Sequence, residues 1–378
     1  PVFEAIDPET LAHYLSSLSF NDPLPSAKNL LNSWNSTRIR SLSEQRRSQL
    51  YSLIQAALPI IAQQSETCSS TLIRLLDFFE TIARRSAYLA LLTEYPHTLK
   101  RVIRMMAASD WAAKYLTRHP VLLDELLDDT SLQAEPDWSE FAQECLRQLT
   151  AFHGDTERQM DVLREQHHAQ LFRLLAKDID GLLTIERLAD HLSALADLLI
   201  DIALETVWKS LPNHHRDSPR FAVIAYGKLG GKELGYASDL DIIFLYDDDA
   251  PDAGQIYARF GQRINNWLNS LTAAGMLYET DMQLRPDGAS GLLVSSLDAF
   301  NEYQRHKAWV WEHQAITRAT FSAGDAAIGQ AFEQIRHEVM TQKRDLAKLK
   351  QEVTEMRQKM RAGHPVPDGR RDDSGRWL

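Results

Sequence analysis

From residue 1 to about residue 210 the chain reads as helical, and this limits its fold more than any other feature. Glycine is scarce there, while Leu, Ala, Arg, Glu and Gln dominate. Such residues lose little freedom in a helix, so packed helices are expected. Leu72, Leu75, Leu76 and Phe79 have the i, i+3, i+4, i+7 spacing of a buried helical face. Leu122, Leu123, Leu126 and Leu127 also fall on one helical face. Pro96 and Pro120 punctuate the helices. Ser41-Leu42-Ser43-Glu44 has the spacing of a capping box and is expected to open a helix. Glu186, Asp190 and the pair His167-His168 read as polar-face residues, and Cys68 and Cys145 as small buried thiols. Two cysteines make no disulfide framework, which fits a reducing, cytoplasmic setting.

The texture changes near residue 211. Leu211 to Pro219 form a polar, turn-rich linker. Two short apolar runs follow, Phe221–Tyr226 and Asp241–Tyr246, which are expected to be buried strands. A helix is expected from about Gln255 to Ala273. Tyr278 to Arg285 reads as a further strand, stopped by Pro286. Asp247-Asp248-Asp249 reads as a solvated loop. Trp309 and Trp311, near Tyr303, are expected to pack the α/β unit on its flanking helices. Ala326 to Arg361 is again helical, ending at Gly363. The expected organisation is α+β: a helical domain over 1–210, an α/β domain over 219–323, a C-terminal helical segment over 324–363 and a tail or linker over 364–378. The chain begins at Pro1 in helix-like text, which reads as part of something longer.

The chemistry is concentrated in Gly227-Lys228-Leu229-Gly230-Gly231-Lys232-Glu233-Leu234-Gly235-Tyr236-Ala237-Ser238-Asp239-Leu240-Asp241. Residues i and i+2 of a strand share a face, so Asp239 and Asp241 present two carboxylates side by side. Such a pair repels itself unless a cation intervenes, and oxygen donors suit Mg²⁺. Gly230 and Gly231 permit a tight turn and close approach of phosphate oxygens, flanked by Lys228 and Lys232. This segment resembles the signature of polymerase-β-like nucleotidyltransferases, which implies a third carboxylate on a neighbouring strand. Asp281 is preferred, with Glu279 as its competitor on the same face. Arg285, two residues past Gln283 on that face, is placed for a triphosphate. His167-His168 and His214-His215 lack partners at zinc-like spacing.

A Gly-Gly turn followed by Ser238-Asp239-Leu240-Asp241 opening an apolar strand is similar to the signature of polymerase-β-like nucleotidyltransferases. The segments Gly227–Asp247, Asp281–Leu293 and Ala308–Arg318 resemble the glutamine synthetase adenylyltransferase family. Leu284-Arg285-Pro286-Asp287-Gly288 resembles its adenylylating, C-terminal half; the adenylyl-removing half typically has Phe at the position of Asp287. The family commonly has Arg where this chain has Gln283. The resemblance implies transfer of AMP from ATP to a tyrosine of glutamine synthetase, with two Mg²⁺ ions held by Asp239, Asp241 and Asp281. It implies nucleotide binding by Lys228, Gly230, Gly231, Lys232, Ser238 and Arg285. It also implies a nitrogen-regulatory signal protein and glutamine as effectors. The alternative is phosphorolytic removal of AMP from the same target. A net charge of -11 argues against bulk nucleic acid as partner. No apolar run approaches the ~20 residues of a membrane helix.

Overall fold

The computed structural model describes Phe3 and residues 6–64, 67–127 and 132–363. The expected tail at 364–378 lies outside the described residues. The chain divides into two compact units, one of Pro1–Pro136 with His168–Leu188, the other of Asp137–His167 with Ala189–Leu378.

The first unit is helical among its described residues. Leu72, Leu75, Leu76 and Phe79 are all buried on the helix Cys68–Ile82, as their spacing predicts. Pro96 and Pro120 each stand at the first position of a helix, where the missing N–H costs nothing. The helix at Pro120–Leu126 is a 3-10 helix that buries Leu122, Leu123 and Leu126. Ser41 does not open the next helix. Its hydroxyl donates back to Arg38 O at 2.8 Å, and the helix Glu44–Ala62 starts after Ser43. His168 is not surface decoration either: its Nδ1 pairs with Tyr115 Oη at 2.5 Å. Cys68 of this unit and Cys145 of the other are buried free thiols.

The second unit is built on a mixed sheet. Strand β1 (Phe221–Ala225) runs antiparallel to β2 (Leu240–Tyr246) and to β5 (Thr320–Gly324). The outer edge of β2 carries two short parallel strands in succession, β3 (Thr280–Asp281) and β4 (Val294–Ser296). All five residues of β1 are buried, so its apolar run is sandwiched rather than alternating. On one face Ala222, Ile224, Ile243 and Leu245 pack with Phe300, Ile328 and Phe332 from the helices Leu297–His306 and Ala326–Thr341. On the other, Phe221 meets Phe260 edge-on at 4.8 Å, and Trp208 meets the same ring at 5.0 Å. Each such side chain, fully buried, contributes about 1.5–3 kcal/mol.

The expected boundary near residue 210 does not coincide with the division into units. The stretches 137–167 and 189–210 cluster with the sheet. The helix Ile185–Ser210 shows why: its Asp197 accepts from Ser322 Oγ at 2.5 Å, and its Asp201 accepts from the Gly324 N–H at 3.0 Å, both on β5. His167, expected on a polar face, is buried and lies 4.6 Å from the Tyr278 ring.

Asp248 departs most from the solvated loop expected at 247–249. Its side chain is inaccessible and accepts from Arg216 Nε at 2.7 Å, Tyr257 Oη at 2.9 Å and the Ala250 N–H at 3.0 Å, with His215 Nε2 at 2.8 Å. Burial opposes its ionisation, but these hydrogen bonds outweigh it and hold the carboxyl well below the usual range. Trp309 and Trp311 are exposed rather than packed; the buried contact nearby is Tyr303 Oη donating to Glu312 at 2.9 Å. The helix expected over 326–361 is broken in two, at Thr341 and Leu346. Asp345 accepts the Ala347 N–H at 2.9 Å and starts the second piece.

Candidate active site

The end of β2 gathers the carboxylates. Asp241 shares its face with Ile243 and Leu245, so the strand that anchors it lies in the core. Parallel pairing sets Asp241 in register with Asp281, and Leu240 with Thr280. Asp239 lies just before β2 and is exposed. Burial raises the Asp241 carboxyl above its ordinary pKa, and the charges of Asp239 and Asp281 raise it further, while Lys228 and Arg318 pull it down. The three carboxylates therefore share one field, faced by two cations. The Glu279 carbonyl accepts the Leu240 N–H at 2.9 Å.

Strand β3 is shorter than the expected 278–285. The Gln283 N–H donates to Asp281 Oδ1 at 2.7 Å, turning the chain directly after Asp281. Alternation then no longer aims Arg285. Its guanidinium donates to Met282 O at 2.8 Å and Ala289 O at 3.1 Å, holding the 286–291 loop.

The glycine turn works by close packing. Gly227 has φ +55, and a Cβ there would lie 1.9 Å from Asp241 Oδ2. A Cβ on Gly230 would lie 2.1 Å from Arg318 O and 2.5 Å from Ala225 O. The N–H groups of Gly230 and Gly231 donate to Tyr226 O at 2.9 Å and Gly227 O at 3.0 Å, within the turn itself. Lys232 Nζ lies 2.7 Å from Asp197 Oδ2. Ser238 Oγ accepts the Gly235 N–H at 3.0 Å and closes the loop that delivers Asp239.

Sequence reasoning missed Arg318 as a site cation. It lies far along the chain, and only the fold sets it against the glycine turn, where its guanidinium would be 2.9 Å from a Cβ on Gly231. It also pairs with Glu233. Asn265 and Asn269 were missed too, although their i, i+4 spacing puts them on one helical face. Asn269 Oδ1 accepts the Thr280 N–H at 3.0 Å, and Asn269 Nδ2 donates to Thr280 Oγ1 at 2.6 Å.

Among the described residues, no three carboxylate, imidazole or thiol groups converge into a ready-made metal site. The donor chemistry nonetheless suits a hard divalent cation: oxygen-only groups whose repulsion on half-buried Asp241 a positive ion would relieve.

Fold and site thus define an α+β protein whose mixed sheet sets Asp241 in register with Asp281 beside a glycine turn, in a field shared with two cations. The chain belongs to the glutamate-ammonia ligase adenylyltransferase family, which matches residues 99–335. It is similar to proteins named bifunctional glutamine synthetase adenylyltransferase/adenylyl-removing enzyme. One, from Aromatoleum aromaticum, is 62% identical over 294 residues, covering 78% of this chain and 31% of the relative. Another, from Chromobacterium violaceum, is 51% identical over 355 residues, covering 94% and 40%. A third, from Ralstonia nicotianae, is 49% identical over 363 residues, covering 95% and 38%. The chain spans about a third to two fifths of these relatives' length. Among the described residues no helix is long and apolar enough to cross a membrane.

Proposed function

We propose that this chain transfers the adenylyl group of ATP to a tyrosine of glutamine synthetase, in the cytoplasm. The observation that carries the reading is the register of Asp241 with Asp281, beside Asp239, at the end of a buried strand. Family membership supplies the reaction class. The variant Leu284-Arg285-Pro286-Asp287-Gly288 favours the adenylylating over the adenylyl-removing direction.

Asp239, Asp241 and Asp281 would hold two Mg²⁺ ions, which when bound neutralise phosphate charge and acidify the acceptor hydroxyl. Lys228 and Arg318 face the same field and are assigned to the triphosphate. Gly227 leaves room for the Asp241 carboxylate, and Gly230 and Gly231 let Arg318 approach. Ser238 shapes the loop carrying Asp239, and Arg285 shapes the 286–291 loop. Residues 219–323 form the catalytic module in this reading. Catalysis rests on positioning and charge neutralisation, with the tyrosine oxygen attacking in line at the α-phosphorus and pyrophosphate leaving. A nitrogen-regulatory signal protein and glutamine are proposed as effectors, from the family resemblance.

The test is incorporation of labelled AMP into purified glutamine synthetase, with ATP and Mg²⁺. Label on tyrosine is expected. Absence of label, with release of ADP from adenylylated synthetase on adding phosphate, would assign the chain to removal instead.

A further inference from the structure

The third carboxylate sits on a strand of two residues, too short to fix itself. What holds it is traceable bond by bond. Arg164, on the helix Thr156–Ile179, is fully buried. Its guanidinium donates to Met160 O at 2.9 Å, Trp267 O at 2.8 Å, Ser270 O at 2.7 Å and Gly275 O at 2.8 Å. Trp267 and Ser270 lie at the C-terminal end of the helix Ala253–Asn269, where carbonyls lack intrahelical donors and a cation is favoured. Gly275, with φ +106, closes a tight turn in which Thr272 and Gly275 exchange N–H···O bonds of 2.9 and 3.0 Å. The Ala274 N–H of that turn donates to Asp161 Oδ1 at 3.3 Å.

From this turn the chain runs straight to β3. The Tyr278 N–H donates to Leu268 O at 3.0 Å. Two residues on, Thr280 is gripped by Asn269, and its hydroxyl donates to Asn265 Oδ1 at 3.0 Å. The next residue is Asp281. A buried guanidinium is costly, and an apolar side chain would fill the same space more cheaply. A fork of donors, however, ties separated carbonyls together at once, which no apolar residue does.

We propose that Arg164 is a positioning residue for Asp281, acting through the 270–275 turn and the Asn269–Thr280 pair; this rests on the adenylyl-transfer reading above. Its loss leaves the carboxylates chemically intact but lets Asp281 drift out of register with Asp241. Displacement of about 1 Å costs on the order of 100-fold in rate.

Arg164→Lys keeps the charge and removes the fork; Thr280→Val keeps the shape and removes the hydroxyl, and serves where the arginine variant does not fold. For each, kcat and KM for ATP in AMP transfer are measured, with amide hydrogen exchange at Tyr278 and Leu240 and, as a fold control, at Val223 and Ile224. The expected result is a ~10- to 100-fold loss of kcat, KM within about threefold, and faster exchange at Tyr278 and Leu240 alone. An unchanged kcat in folded variants overturns the proposal, as does a parallel change of kcat and KM with faster exchange across the whole sheet. If the wild-type chain transfers no AMP, the functional reading falls, and the exchange pattern alone decides whether Arg164 holds β3.

Discussion

At the scale of the residue, the site depends on what is missing at position 227. Gly227→Ala adds a Cβ 1.9 Å from Asp241 Oδ2 at a backbone φ of +55. Its stability is expected to fall by about 1–2 kcal/mol, the cost of a left-handed residue with a side chain. AMP transfer is expected to fall much further, about 100-fold, because the carboxylate is displaced; thermal melting and turnover on the same sample separate the two. Asp248 makes the complementary prediction. Asp248→Asn weakens its charge-assisted hydrogen bonds to Arg216 and His215, and an expected loss of about 1.5–3 kcal/mol at pH 7 follows from denaturant titration. The carboxyl is depressed in the fold, so its contribution is complete above the unfolded pKa of about 4 and lost as pH falls through the folded value. The gap between wild type and variant should therefore close only below about pH 4. The adjacency of Asp239 and Asp241 was legible because it needs only local spacing. The burial of Asp248 was not, since two of its partners, Arg216 and His215, lie more than thirty residues upstream.

At the scale of the element, β1 and β2 were readable from their apolar runs, whereas β4 and β5 were not. Val294–Ser296 and Thr320–Gly324 are short and mixed, and only pairing with β2 and β1 makes them strands. The strand expected to run through Arg285 stops early for a related reason: extrapolating alternation past Asp281 ignores the Gln283 N–H that turns the chain. Lys232 separates motif reading from geometry. Sequence spacing assigns it to phosphate, while the fold pairs it with Asp197 on the helix Ile185–Ser210. Lys232→Met is expected to leave KM for ATP within about twofold and lower stability by under ~1 kcal/mol, as for an exposed ion pair. Arg318→Met is expected to raise KM for ATP at least about tenfold, as for loss of a charge-assisted contact. A reversal of these two outcomes in steady-state kinetics would return Lys232 to the phosphates.

At the scale of the whole molecule, composition foretold a helix-rich chain with one sheet-bearing region, but not which helices join the sheet. Residues 137–167 and 189–210 look like the rest of the helical text, and they join the sheet through contacts such as Trp208 to Phe260 and Asp201 to Gly324. The net charge of -11 makes a different kind of statement. Nucleic-acid affinity is dominated by backbone phosphates, so no saturable binding of duplex or single-stranded nucleic acid is expected at about 0.15 M salt. Micromolar binding that weakens steeply with salt, read by fluorescence anisotropy, would instead favour a nucleic-acid substrate. The most direct measurement compares AMP transfer by Asp281→Asn and Glu279→Gln, both checked for native melting. A collapse of turnover in the first and near-normal turnover in the second is expected if the register of Asp241 with Asp281 forms the reacting edge. The opposite pattern, or normal turnover in both, would contradict it.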